Sequence, residues 1–226
     1  MLKKPITYLT LAVLATSLMS GCASETKLAN QNKSNKISKS VKPNMSQTDI
    51  TNYSQMFADY LSDTTLLDNY IGRIGYTINS GLDNDAVDKI NALSKEHLVD
   101  GLTVASEQSA KGLRELQDSK AISDSQLNKL EKAKTDLLRK VLSWRDLIIS
   151  LNYDNASEVK DSLTNNAKDY QQAFTDYYSV LNDTINSING GKNNDNSYAA
   201  ILRESSKLAM KQYGDPDDYK QLYESN

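Results

Sequence analysis

Ile122 to Leu151 reads ISDSQLNKLEKAKTDLLRKVLSWRDLIISL, and this stretch decides the fold. Ser123 and Gln126 are spaced as a capping box, and Ile122 and Leu127 as a hydrophobic staple around it. A stripe follows in steps of three and four, through Leu130, Lys134, Leu137, Val141, Trp144, Ile148 and Leu151. That is the period of one helix face. Lys134 is the weak position in an otherwise apolar line.

The same period extends in both directions. Ser46-Gln47-Thr48-Asp49 is a cap-like start. Behind it Ile50, Tyr53, Phe57, Tyr60, Thr64, Leu67, Ile71, Ile74 and Ile78 predict one long helix, stopped at Ser80-Gly81, where glycine can adopt the left-handed cap. A second helix is expected from about Asn84-Asp85 to Gln117, with Val87, Ile90, Leu98, Leu102, Leu113 and Leu116 inward. Gly101 and Gly112 within it either permit close helix contact or mark a bend. After the Ile122–Leu151 helix, a fourth begins near Asn155 and carries Val159, Leu163, Ala167, Tyr170, Phe174, Tyr177, Leu181, Ile185 and Ile188 up to Gly190-Gly191. A shorter one is expected from Ser197 to Tyr213, stopped by Gly214-Asp215-Pro216, where Asp215 and the proline start a last turn. No proline interrupts Pro43 to Pro216, and the alternation expected of strands is missing.

The fold class expected is therefore all-α: an antiparallel up-down bundle of four long helices, roughly 45 Å long, plus one or two shorter C-terminal helices. The shorter helix and the Tyr219-Leu222-Tyr223 end are expected along or across one end of it. A monomer is favoured over an elongated helical dimer, which the weak seam positions Thr64, Lys134 and Ala167 would suit.

The first residues are of a different kind. Lys3-Lys4 precede an apolar run from Ile6 to Met19, then Ser20-Gly21-Cys22. A helix over that run is roughly 21 Å long, short of the about 30 Å of a bilayer core. The order is that of a secretory signal peptide. Leu18-Met19-Ser20-Gly21-Cys22 resembles the lipobox of bacterial lipoproteins. The resemblance implies that Cys22, the chain's single cysteine, receives a diacylglyceryl group and becomes the first residue after cleavage. It also implies an address. Ala23 is not the aspartate that retains such proteins at the inner membrane, so the outer membrane is implied if the cell has one, and otherwise the outer face of the cell membrane. Two or more long acyl chains hold stably where one is marginal.

The domains expected are thus a signal peptide over 1–21, the lipidated cysteine with a tether over 22–46, and the helical body over 47–226. The tether is rich in Asn, Ser and Lys and too poor in apolar residues to offset its ordering entropy, so it is expected to be a disordered leash. Lys27, Lys33, Lys36, Lys39 and Lys42 make it basic against Glu25 alone. Next to anionic headgroups those lysines would be weakly attractive. The body is strongly acidic, which argues against nucleic acid as a partner.

Catalytic chemistry is hard to find in this sequence. One histidine, His97, rules out the two-histidine metal sites of helical bundles, and it reads as a surface or boundary residue. No phosphate-cradling glycine motif is present, because Gly72-Arg73-Ile74-Gly75 sits inside a helical pattern. Asp83, Asp85 and Asp88, like Asp215, Asp217 and Asp218, stand where first-turn carboxylates favour a helix dipole. No catalytic residue, cofactor or metal site is expected.

Tyrosine is the one oddity of the body, at 13 in the chain against two phenylalanines. Tyr70, Tyr76, Tyr178, Tyr198 and Tyr213 fall off the seams or near helix ends and are the candidates for contact with a partner; Trp144 reads as a core anchor. The function expected is a non-catalytic, membrane-anchored envelope lipoprotein presenting a helical bundle to a protein or another envelope component. The alternative is a carrier that holds a small lipid or peptide inside the bundle.

Overall fold

The computed structural model describes residues 45–94, 101–192 and 196–213, and among them the regular elements are all helices. They are α1 (Gln47–Tyr60), α2 (Ser62–Ser80), α3 (Asn84–Leu93), α4 (Leu102–Asp118), α5 (Asp124–Ile149), α6 (Ala156–Asn165), α7 (Ala167–Asn186), a 3-10 turn over Ile188–Gly190, and α8 (Ser197–Tyr213). The chain is all-α. The signal peptide, Cys22, the tether up to residue 44, His97 and everything after Tyr213 lie outside the described residues, as does the side chain of Tyr76.

Local chemistry sets the helix starts. Ser46 Oγ accepts the Asp49 amide at 3.1 Å and donates to the Asp49 carboxylate at 2.7 Å. Asp83 accepts the Ala86 amide at 2.8 Å and caps α3. Ser123 caps α5 through the Gln126 amide at 3.3 Å. Only half of the expected capping box forms, because Gln126 Nε2 donates to Thr184 Oγ1 of α7 at 3.2 Å instead of turning back.

Two of the long helices expected are divided. The first breaks at Leu61, where the Thr64 amide is captured by the Asp63 carboxylate at 2.7 Å and Thr64 Oγ1 donates to the Leu61 carbonyl at 3.0 Å. Such short polar side chains compete with the helical ladder for backbone groups. The fourth breaks at Asn166, whose amide group and backbone N–H both donate to the Ser162 carbonyl, at 2.8 and 3.1 Å. The second is described as α3 and α4, and residues 95–100 between them lie outside the described residues. At the stops, Gly190 and Gly191 take left-handed φ values of 68° and 65°, as does Asn189 at 53°. Gly81 instead takes φ 150°, ψ 134°, an extended exit that still needs glycine.

Packing divides the molecule into two groups. In one, α1 lies between α8 and α4, and α2 continues along α4. In the other, α5 packs along α7. The sequence left helix α8 along or across one end of the bundle. It runs beside α1 from the end near Ile188 until Tyr213 reaches Asp59. Enclosed on all sides, the chain from Phe57 to Leu67 is buried without interruption.

The inward face of α4 also differs from the one expected. Ala105, Ser109, Gly112 and Leu116 are buried, while Leu102 and Leu113 are only partly so. Small side chains let α4 approach α1 backbone to backbone. A Cβ on Gly112 would stand 2.8 Å from the Met56 carbonyl oxygen. The stripes of α5 and α7 are buried as expected, with Ala167 partly so.

The α5–α7 group is a helical hairpin inserted between α4 and α8, and its two connections lie side by side. The Asn189 amide donates to the Ala121 carbonyl at 2.7 Å across them.

Candidate functional site

The break at Leu61 creates the most unusual chemistry of the described chain. With the Thr64 amide bound to Asp63, the Tyr60 carbonyl takes partners from two other helices: Lys134 Nζ of α5 at 3.0 Å and Ser109 Oγ of α4 at 2.9 Å. Lys134 Nζ also donates to Ser109 Oγ, pairs with Asp63 Oδ1 at 2.8 Å and stands 4.1 Å above the centre of the Tyr60 ring. Its three N–H bonds thus have a carboxylate, a carbonyl and a hydroxyl, with an aromatic face behind them. Lys134 is 5% exposed and Asp63 4%. Lys134, the weak position of the sequence stripe, is the residue that ties α5 to α1, α2 and α4.

Further polar links surround this pair. Tyr60 Oη donates to Glu131 of α5 at 2.7 Å, and Tyr170 Oη of α7 to Asp68 of α2 at 2.9 Å. Tyr177 lies beside Thr64. Burial is the first cause of each shift here. It raises the Asp63 carboxyl despite the opposing Lys134 charge, and it pushes Asp68 up to about 6 against the Tyr170 hydrogen bond. It holds Tyr60, Tyr170 and Tyr177 well above the ordinary phenol value. On the other flank, buried Asp59 accepts from Tyr213 Oη at 3.0 Å and Gln55 at 2.9 Å.

A lysine touching a serine has the residue types of a nucleophile and its base. The directions of the bonds do not fit that use. Ser109 donates its proton to the Tyr60 carbonyl and accepts from Lys134, so the lysine is a donor where a base must be an acceptor. The cluster is an internal polar tie.

The tyrosines singled out in the sequence go mostly inward. Tyr70 and Tyr213 are 3% and 6% exposed, and Tyr178 and Tyr198 are half-buried. Burial takes Tyr70 and Tyr213 away from the partner surface expected of them. For Tyr213 this follows from α8 lying along α1, whereas half-buried Tyr178 ends an aromatic row. In that row Trp144 stacks on Tyr170 with centroids 5.0 Å apart, Tyr170 meets Phe174 at 4.8 Å, and Phe174 meets Tyr178 at 6.0 Å. Trp144 is a core residue, as expected. Among the described residues Tyr153 is an exposed tyrosine, and it donates to Asp88 at 2.6 Å.

Open surface depressions occur among the described residues. One of about 460 Å³ is lined by Gln55, Met56, Glu115 and Asp118, and one of about 560 Å³ by Leu102, Ser106, Ala110 and Arg145. Among the described residues no group of three or more His, Cys, Asp or Glu is placed to hold a metal ion, and no helix is long and apolar enough to cross a membrane. No family model matches the chain, and no curated protein or solved structure is significantly similar to it.

Proposed function

We propose that this protein is a lipid-anchored component of a bacterial cell envelope that presents its helical bundle to a protein or another envelope component and performs no catalysis. The observation that carries the reading is the order Lys3-Lys4, Ile6 to Met19, Ser20-Gly21-Cys22 ahead of a lysine-rich stretch and a helical body. In this reading Cys22 is acylated, residues 1–21 are removed, and the chain sits on the outer membrane or, in a cell without one, on the outer face of the cell membrane. The inward-turned polar groups support a non-catalytic role, because the Lys134 cluster spends its bonds on itself. The carrier alternative has less support: Phe57, Tyr177, Phe174 and Leu181 have no exposed surface and fill the space a ligand would need.

The anchor is tested by feeding cells an alkyne-bearing palmitate analogue and weighing the purified protein. Label on the wild type, none on Cys22→Ser, and a mature chain starting at residue 22 are expected. A bare thiol at Cys22 or a retained leader refutes the anchor. For the partner, photo-crosslinking from exposed positions such as Tyr153 and Met210 should trap one defined species in cells. Absence of any saturable adduct counts against the interaction role.

A further inference from the structure

We propose that the hairpin Asp124–Asn186 is a hinged flap that swings away from the rest of the bundle as a unit, and that the Lys134 cluster is its latch. Four observations point there. First, the hairpin is self-contained: α5 packs along α7, Gln126 bonds Thr184, and Trp144, Tyr170, Phe174 and Tyr178 form their aromatic row within it. Its partner group is equally self-contained, since α4 approaches α1 to backbone contact at Gly112.

Second, both covalent connections leave the hairpin at one end and are joined by the Asn189–Ala121 bond. Left-handed φ values concentrate in those two connections, at Lys120, Asn189, Gly190 and Gly191. Two adjacent connections at one end define an axis, whereas connections at opposite ends would pin the hairpin in place. Third, between the two groups the helix backbones approach at only a few points. Fourth, among the described residues the interior polar links across that seam gather on Tyr60 to Asp68 and on Ser109 of the partner group. Lys134 meets Asp63, the Tyr60 carbonyl and Ser109; Glu131 meets Tyr60; Tyr170 meets Asp68. At the tip, some 38 Å from the hinge by helix rise, α6 approaches α2, α5 approaches α3, and Tyr153 donates to Asp88 in an exposed bond.

A seam closed by apolar surface alone resists opening smoothly. One closed on a buried ion pair behaves differently, because removing either charge strands the other in a site without water. That shifts the balance toward the open form about 100-fold or more. Removing both charges together leaves nothing stranded and restores closure. The flap therefore opens in response to whatever separates Lys134 from Asp63, and the helices on both sides survive the motion. The inference stands whether or not Cys22 carries lipid.

Trp144, the single tryptophan, is 9% exposed and stacks on Tyr170, which bonds Asp68 across the seam, so it reports the motion without labels. In the full chain, acrylamide quenching of Trp144 should rise several-fold at urea concentrations that leave far-UV circular dichroism unchanged. Asp63→Asn and Lys134→Met should each show that quenching without urea while staying helical, and the double variant should return to the wild-type value. Coincident loss of Trp144 protection and helicity in the wild type and in both single variants would overturn the flap. Single variants that keep Trp144 shielded, or a double variant as open as the singles, would overturn the latch.

Discussion

Gly112 and Gly75 both lie inside helices, and replacing each with alanine should move stability in opposite directions. Alanine gains up to about 1 kcal/mol over glycine from helix propensity at either position. At Gly75 nothing beyond the helix's own neighbouring backbone lies within 4 Å of the added methyl, so that gain stands alone. At Gly112 the methyl would lie 2.8 Å from the Met56 carbonyl oxygen and 2.9 Å from the Asp59 carbonyl carbon, and closer still to the Tyr60 amide nitrogen. These are backbone atoms of a buried helix, which cannot rotate aside as a side-chain tip does. The helices must part, and overpacking of this kind costs typically about 1–3 kcal/mol, occasionally more. Parting also stretches the bonds from Ser109 Oγ to the Tyr60 carbonyl, at 2.9 Å, and from Ser62 Oγ to the Ala105 carbonyl, at 2.6 Å. Each contributes about 1 kcal/mol. Gly112→Ala should therefore lose about 1–3 kcal/mol net and Gly75→Ala gain up to about 1, a separation of about 2–4 kcal/mol. Urea titrations followed by far-UV circular dichroism read both as midpoint shifts at constant slope. A Gly112→Ala chain as stable as Gly75→Ala would show that a small residue does not set the α1–α4 spacing.

The remaining expectations concern charge and capping. Asp68, raised from 3.8 to about 6, binds a proton more readily folded than unfolded, so the contribution of this group to stability is full below the unfolded value and falls as pH rises through 6. The shift corresponds to at most about 3 kcal/mol, reduced by the partial exposure of the residue. Asp68→Asn should flatten the pH dependence of the urea midpoint between about pH 4 and 7, and a wild type that loses stability on acidification through 6 would contradict the assignment. Tyr170→Phe removes the hydrogen bond that opposes this shift. It should move the midpoint of that pH dependence upward and cost about 1–2 kcal/mol above it, read in the same titrations. Ser123→Ala deletes the α5 cap and should cost about 1 kcal/mol by thermal or urea unfolding, with Ser123→Asp close to neutral.

Where large apolar side chains mark a helix face, the sequence was a sufficient guide. The lines through Leu130 to Leu151 and through Tyr170 to Ile188 are the buried faces of α5 and α7. The reasoning failed on α4 because burial there is achieved by smallness. A search for leucines finds Leu102 and Leu113 and passes over Ala105 and Ser109, whose value appears only when α1 lies against them. The breaks at Leu61 and Asn166 depend on which side chain wins a backbone group, a contest that periodicity does not register. Lys134 was visible as an anomaly, but its partner could not be named. Asp63 is one of several acids near the middle of the long first helix that the sequence predicts, and only the fold chooses it. The tyrosines misled for a related reason: α8 was expected near one end, which left Tyr213 without a neighbour, although it lies against Asp59.

The adjacency of Ala121 and Asn189 carries a further consequence, for how this chain can be cut and rejoined. Because the inserted segment departs and returns through neighbouring points, a few residues suffice to bridge the gap, and closing so short a loop adds little entropy. The segment is thus a natural cassette. It can be excised with the reading frame mended across the scar, or grafted into another scaffold wherever two strands of backbone stand a hydrogen bond apart.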